Sequence, residues 1–296
     1  MSWVAAVVGL CLFVCASGGC AANWPQREGI VRPDGVYVLH LPGIMGPIPH
    51  DKDFAYGLLV AGAQEVRLVD WTFPFIFTNL MDLEWQERQA EALLEELREY
   101  REMHPDGRLV ITAHSGGGRI ALLALDRLQP GDPLVEQLWL LAPSLSPQYD
   151  LAPTLDRVGR VVAITSDEDW LILGLGTRLF GNSDRVYGDA AGRVGFLYQH
   201  PRFEQWEFDP AWEERTGYDG DHIKVLSSQF VREMIGPSMM NWRASGSEFE
   251  YNAFAPVDPE LIDEAIAAGG ADPRGAAENA RSRSGAGGAA GMLDDR

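Results

Sequence analysis

A serine between an apolar strand and a helix carries the clearest chemical signal in this sequence. Residues 109–113 read LVITA, a run typical of a buried strand, and they continue directly into His114-Ser115-Gly116-Gly117. A serine held on such a sharp turn presents its hydroxyl outward, where a base can convert it into a nucleophile for attack on a carbonyl carbon. The simpler interpretation, a glycine-rich turn whose serine caps the following helix, remains an alternative.

The segment resembles the nucleophile elbow of the α/β-hydrolase superfamily, which has a G-x-S-x-G pattern on a strand, a turn and a helix. Ser115 takes the position of the nucleophile, Gly117 matches the second glycine, and Ala113 stands where the first glycine is usual but is also small. His114 is interpreted as an elbow residue rather than the base, because adjacent residues on this turn point apart. The resemblance extends over about residues 36–235 and is at the level of the superfamily.

An oxyanion hole is implied by the same resemblance, since acyl transfer needs N–H groups aimed at the developing negative charge. In the superfamily one donor is the residue after the nucleophile, which here is Gly116. The other donor comes from the loop after an earlier strand, which residues 40–46 (HLPGIMG) match. This implies Ile44, or Met45 if the loop is shifted by one residue. A plain turn with proline and glycine as breakers is the alternative.

The superfamily order of serine, acid and histidine leaves two candidates for the base, His200 and His222. His222 follows a polar loop, residues 217–221, just before a predicted final helix, where the superfamily places its catalytic histidine. His200 precedes a predicted strand and has no such placement, so we prefer His222. An exposed histidine at a helix start is the alternative interpretation of His222.

The acid should follow a late strand, and three carboxylates come directly after the apolar run 160–165. Superfamily loops often place the acid before an apolar pair, which favours Asp169 over the runner-up Asp167, with Glu168 third. The chosen carboxylate should be partly buried so that it can orient the imidazole and stabilise the imidazolium. Its acidic neighbours would be solvated.

Alternating strands and helices predict the scaffold that positions these residues. The predicted strands are Val36–His40, Glu65–Trp71, Arg108–Ala113, Gln137–Leu141, Arg160–Thr165 and Phe203–Phe208, and the predicted helices are Phe54–Ala63, Asp82–Met103, Gly117–Leu128 and His222–Ile235. Such alternation predicts an α/β fold with a mostly parallel twisted sheet and helices on both faces. The resemblance implies that this is the α/β-hydrolase fold. No large cap domain is expected, because the gap from Leu141 to Arg160 is too short to hold one.

Composition and charge exclude several classes of function. Hydrophobic residues make up 46% of the 296 residues and charged residues 23%, which is a globular balance. The 43 acidic and 24 basic side chains give a formal net charge of −19, which argues against nucleic acid and anionic membranes as partners.

No metal site and no cofactor is predicted. The three cysteines, Cys11, Cys15 and Cys20, all lie in the first 20 residues, so zinc-ribbon, iron–sulfur and disulfide scaffolds are excluded for the folded body. The six histidines show no ligand spacing.

The N-terminal segment predicts an export signal, and the C-terminal segment predicts a strap and a disordered tail. Residues 1–22 combine an apolar run with small residues, as in a signal peptide, and Cys20 resembles the lipobox cysteine whose acylation tethers bacterial lipoproteins to a membrane. Cleavage near Ala22 or an uncleaved anchor are the alternatives, and either a periplasmic or a membrane-anchored bacterial location follows. The hydrolase domain is predicted over 30–240, a C-terminal strap over 241–266, and a disordered Gly/Ala-rich tail over 267–296.

Together these residues predict a serine hydrolase that cleaves a carboxylic ester of a small-molecule or lipid acyl substrate through an acyl-enzyme. The segments Thr72–Met81 and Trp170–Phe180 are rich in apolar side chains, which either line an acyl pocket or pack against the core or the strap. A thioesterase, acyltransferase or serine peptidase could use the same scaffold. A rival from another class is an exported, non-catalytic binding protein on a hydrolase fold.

Overall fold

The structure is a computed structural model that describes residues 24–26, 32–130 and 132–243. Its six strands are β1 (Val36–Leu41), β2 (Glu65–Leu68), β3 (Arg108–His114), β4 (Val135–Leu141), β5 (Val158–Thr165) and β6 (Phe203–Glu207). They form one sheet in the order β2-β1-β3-β4-β5-β6, with every neighbouring pair parallel. The predicted fold class is confirmed, and the carboxyl ends of all six strands lie along one edge.

Helices connect the strands. They are α1 (Pro49–Ala61), α2 (Ile76–Met81), α3 (Leu83–Met103), α4 (Gly117–Leu125), α5 (Ala152–Leu155), a π-helical turn (Leu171–Gly176) that continues into α6 (Thr177–Phe180), α7 (Ala191–Val194), α8 (Pro210–Thr216), a 3₁₀ turn (Lys224–Leu226), α9 (Ser228–Phe230), a second π-helical turn (Val231–Ile235) and α10 (Gly236–Asn241). Among the described residues, no helix is both long enough and apolar enough to cross a membrane.

Two apolar cores lie on opposite faces of the sheet. Side chains alternate along β1, so that Tyr37 and Leu39 enter one core while Val36 and Val38 enter the other. Helices α3 and α4 cover the first face, whereas α1 and the C-terminal helical stretch cover the second. Because both faces are covered, the four central strands are buried and mostly apolar, whereas the edge strands β2 and β6 carry charged residues. Each fully buried Leu or Val contributes about 1.5–3 kcal/mol.

Local side-chain contacts explain where elements differ from the predicted bounds. Strand β2 ends at Leu68 rather than Trp71, because the Asp70 carboxylate accepts hydrogen bonds from Thr72 N and Thr72 Oγ1 and turns the chain. Helix α1 begins five residues earlier than predicted, at Pro49, whose fixed φ suits a first helical position.

The prediction of one helix over His222–Ile235 is wrong. The Asp221 carboxylate accepts hydrogen bonds from the N–H groups of Ile223 and Lys224 and closes a turn there. Ser227 is extended, with a ψ of 135°, so a new helix begins at Ser228 and the helical stretch continues to Asn241. His222 therefore lies on a loop, before a short 3₁₀ turn.

Several predictions concern parts of the chain outside the described residues. These are the signal segment 1–22 with Cys20, the tail 267–296, and the strap 241–266 beyond residue 243. In the described start of the strap, Trp242 packs against the guanidinium of Arg160, 5.2 Å from its ring centre.

Candidate active site

Ser115 lies on the turn between β3 and α4 in a conformation that few non-glycine residues adopt. Its φ is 52°, a left-handed backbone that costs about 1–3 kcal/mol for such a residue. Gly118 N donates to Ser115 O at 3.2 Å, and Ser115 N donates to Leu141 O at 2.9 Å, so the turn is held from both sides. A Cβ on Gly117 would lie 2.6 Å from the carbonyl oxygen of Pro42, which explains the small residue there. Ala113 is fully buried between β1 and β4.

The structure brings Ser115, His222 and Asp169 into one hydrogen-bonded chain. His222 Nε2 lies 3.0 Å from Ser115 Oγ, and His222 Nδ1 lies 2.5 Å from Asp169 Oδ2. The Nδ1–H donates to the carboxylate, which leaves Nε2 free to accept the serine proton. The side chains of all three are largely buried, whereas Asp167 and Glu168 are exposed.

Close packing of two loops holds His222 against Asp169. Gly220, with a φ of 83°, approaches the loop after β5 so closely that a Cβ there would lie 2.4 Å from Ser166 Oγ. Tyr218 anchors the same loop through contacts with the rings of Phe208 and Phe230, whose centres lie 5.5 Å and 4.4 Å from its own. Burial raises the pKa of its hydroxyl above the ordinary value.

The loop after β1 lies directly against the turn at Ser115. A Cβ on Gly116 would lie 2.3 Å from Ile44 Cγ2, so these two residues are in contact. Gly46 N donates to Gly43 O at 3.0 Å, which closes a tight turn around Ile44 and Met45. In the described part of the chain, the N–H groups of Ile44, Met45 and Gly116 donate to no other residue.

The topology and the positions of these residues identify the fold. Ser115 follows the third strand, Asp169 the fifth and His222 the sixth, in a parallel sheet with helices on both faces. The chain has the α/β-hydrolase fold. The resemblance inferred from the elbow is thus confirmed at the level of fold.

Of three comparisons with known proteins, only the one with solved structures found matches. No protein-family model matches the chain, and no curated protein matches its sequence. Among solved structures, it is similar to a Trichoderma reesei cutinase in complex with a phosphonate inhibitor, with 13% identity, a TM-score of 0.39, and coverage of 79% of this chain and 89% of that one. It is also similar to an α/β serine hydrolase without a lid from Xanthomonas campestris, with 15% identity, a TM-score of 0.41, and coverage of 71% of this chain and 82% of that one. For Aspergillus fumigatus lipase B, the identity is 13%, the TM-score is 0.45, and the match covers 88% of this chain and 64% of that one. At these identities and TM-scores, the likenesses carry no argument about the fold or the reaction of this chain.

In this α/β-hydrolase fold, the side chain of His114 contacts the main chain of His222, the candidate base. The sequence pattern does not reveal this contact. The Nε2–H of His114 donates to the carbonyl oxygen of His222 at 3.0 Å, across 108 residues. Burial, followed by the nearby charge of His222, lowers the pKa of His114 to about 3. The ring is therefore neutral near pH 7 and serves as a fixed donor.

A second buried histidine–aspartate pair, formed by His40 and Asp51, was not predicted from the sequence. His40 Nε2 lies 2.9 Å from Asp51 Oδ1, and His40 Nδ1 lies 2.9 Å from Thr112 Oγ1. Burial alone would raise the pKa of Asp51, but the hydrogen bond and charge of His40 outweigh it, so this pKa lies below the ordinary value. We call His40, Asp51, Thr112 and His114 the buried polar layer.

Asn79 is a further residue that the sequence reasoning missed. Its side chain, only 1% exposed, donates to Ile44 O at 2.8 Å and to Phe73 O at 2.9 Å, and accepts from Phe73 N at 2.7 Å. It thus fixes the loop that contains Ile44. His200, by contrast, accepts from Arg202 N before β6 and stacks near Tyr198.

Proposed function

We propose that the chain is a serine hydrolase that cleaves a carboxylic ester through an acyl-enzyme. The observation that supports this most is the continuous chain from Ser115 Oγ through both ring nitrogens of His222 to the Asp169 carboxylate. A hydroxyl, a base and an orienting acid at hydrogen-bond distances are the parts that nucleophilic acyl transfer requires.

In the first half of the proposed reaction, His222 Nε2 takes the proton of Ser115 as Oγ bonds to the carbonyl carbon. The carbonyl electrons move to oxygen, and the N–H groups of Gly116 and Ile44, or of Met45, stabilise this oxyanion. Asp169 stabilises the imidazolium. When the tetrahedral intermediate collapses, the alcohol leaves with the proton of His222, and the acyl group remains on Ser115.

Water completes the cycle by the same steps. His222 removes a proton from water as its oxygen attacks the acyl carbon, and collapse releases the carboxylic acid and returns the proton to Ser115. The chemistry needs no cofactor.

Labelling with a short-chain fluorophosphonate tests the proposal, because this probe phosphonylates activated serines. We expect one equivalent of label on Ser115, and loss of both label and hydrolysis of p-nitrophenyl acetate in Ser115→Ala, by a factor on the order of 10⁶. The same losses of label and hydrolysis are expected in His222→Asn. His200→Asn is the matched control and should keep both.

The result also separates the rival functions. An unlabelled Ser115 in a folded protein would favour a non-catalytic binding protein on this fold. Labelling with faster turnover of a thioester or an amide than of the matching ester would instead assign a thioesterase or a peptidase.

A further inference from the structure

Two loops beside the candidate active site expose aromatic side chains to solvent. Phe75 and Phe77 follow β2, and Phe180 ends α6 after β5; their exposed fractions are 60%, 42% and 44%. Ring centres lie 5.6 Å apart for Phe75 and Phe77, and 6.2 Å apart for Phe77 and Phe180. We call these three residues the aromatic platform. Contiguous exposed apolar side chains of this kind mark binding surfaces more often than chance.

Both halves of the platform are joined to the residues proposed to hold the oxyanion. Asn79 belongs to the same helix as Phe77, and its side chain donates to Ile44 O. Ser183 follows Phe180 by three residues, and its hydroxyl would lie 3.1 Å from a Cβ on Gly116. A molecule on the platform would therefore contact the two segments that also carry the partners of Ile44 and Gly116. The reacting ester itself is the occupant that this continuity indicates.

The charge distribution indicates what part of an ester would bind. The chain has 43 acidic residues, yet residues 71–81 and 170–183 contain none. Their one cation, Arg178, forms an ion pair with Asp189 at 2.7 Å. A further cation, Arg185, contacts Met81 Sδ through its guanidinium at the end of the first segment. The aromatic faces themselves are uncharged and suit a hydrocarbon chain.

We propose that the aromatic platform binds the hydrocarbon chain of a neutral, long-chain ester. The inference rests on the proposed hydrolase function and names the substrate class of the same site. The chain belongs either to the acyl group or to the alkoxy group, and the platform gains apolar contact area with each methylene that it covers.

The test is the dependence of kcat/KM on chain length, measured with soluble esters below their aggregation limits. One series is p-nitrophenyl acetate, butyrate and octanoate, which lengthens the acyl group; the other is ethyl, butyl and octyl acetate, which lengthens the alkoxy group. A fully buried methylene contributes about a fourfold gain and a half-buried one about twofold, so six methylenes should raise kcat/KM by a factor on the order of 50 in one series.

Variants assign that gain to the platform. In Phe77→Ser and Phe180→Ser, the kcat/KM for the octanoate divided by that for the acetate, or for the octyl ester divided by that for the ethyl ester, should fall about tenfold. Tyr56→Ser is the matched control, because Tyr56 is an aromatic side chain of similar exposure, 56%, on α1. Its ratio should match that of the unmodified protein.

Distinct results would overturn the inference. A flat profile in both series, or equal ratios in all variants, would exclude the platform as a binding site while label on Ser115 still supported the hydrolase. Failure to label Ser115 and to cleave any ester would overturn both proposals. If Phe77→Ser instead converted a dimer into a monomer in sedimentation without changing the ratio, the platform would be an interface between two copies of the chain.

Discussion

The buried polar layer and the aromatic platform border the same candidate site and have opposite character. In the layer, the polar atoms of His40, Asp51 and His114 are enclosed and paired. On the platform, rings of phenylalanine face water. Hydrogen bonds offset the cost of burying the polar groups of the layer, whereas nothing in the described residues covers the rings of the platform, which are unfavourable in water.

The contrast indicates that the two regions control different quantities. Groups held by buried hydrogen bonds keep one geometry, so they should govern rate and pH response for every substrate. The platform has fixed partners on one side only, so it should govern the choice between substrates. Changes on the polar side should thus lower kcat for all esters, while changes on the platform should alter the ratio between esters.

Among the changes that test this comparison, the largest effect is expected from Asp169→Asn, because His222 connects Asp169 to the buried polar layer. An amide cannot hold the Nδ1–H tautomer of His222 or stabilise its cation, so kcat should fall about 10⁴-fold for short and long esters alike. Steady-state hydrolysis of both ester lengths measures it. Asp167→Asn is the control, since that exposed carboxylate lies two residues away and should leave kcat near its original value. Equal losses in the two variants would contradict the assignment of Asp169 as the acid.

The sequence was sufficient for those parts of the site that local pattern encodes. An apolar run before small residues predicts the strand and turn at Ser115, because tight turns constrain nearby residue types. Chain order, supplied by the resemblance, then left His200 and His222, and the polar loop before a predicted final helix favoured His222. The position after a strand left three carboxylates, and the apolar pair that follows Asp169 favoured it as the acid. These three meet in the structure as the hypothesis requires, although their catalytic roles stay a prediction.

The parts that could not be predicted depend on contacts between distant residues. Asn79 reaches Ile44 across 35 residues, and His114 reaches His222 across 108, so no periodicity or spacing encodes either contact. The turn after His222 depends on the side chain of Asp221, and the later helix start depends on the extended backbone of Ser227, neither of which the apolar pattern encodes. The aromatic segment was ambiguous because pattern alone does not separate rings that line a site from rings that pack in a core.

A second, smaller effect is expected from Asn79→Ala, because Asn79 connects the two regions. Without its side chain, Ile44 O and both polar groups of Phe73 lose their partner, so the loop that carries the proposed oxyanion donor loosens. Because one oxyanion donor contributes a factor of about 10²–10³, we expect kcat to fall about 100-fold, and the long-to-short ester ratio to fall with it. Progress curves on both esters, with the thermal midpoint as a check of folding, measure this. An unchanged kcat in folded protein would show that Asn79 does not position the loop.

The smallest effect, about 2 kcal/mol, is expected in the pH dependence of stability, from His114. Its pKa is about 3 in the folded chain and about 6.5 when unfolded, so only the unfolded chain takes up a proton as the pH falls through 6.5. The folded state should lose about 2 kcal/mol between pH 7.5 and pH 5 from this group. His114→Gln retains an N–H near the position of Nε2 but cannot titrate, so urea unfolding at the two pH values should show a loss smaller by that amount. Because every other titrating group is common to both proteins, parallel pH profiles would mean that His114 titrates alike in the folded and the unfolded chain. That result would contradict a lowered pKa and a ring that stays a neutral donor to His222 down to pH 5.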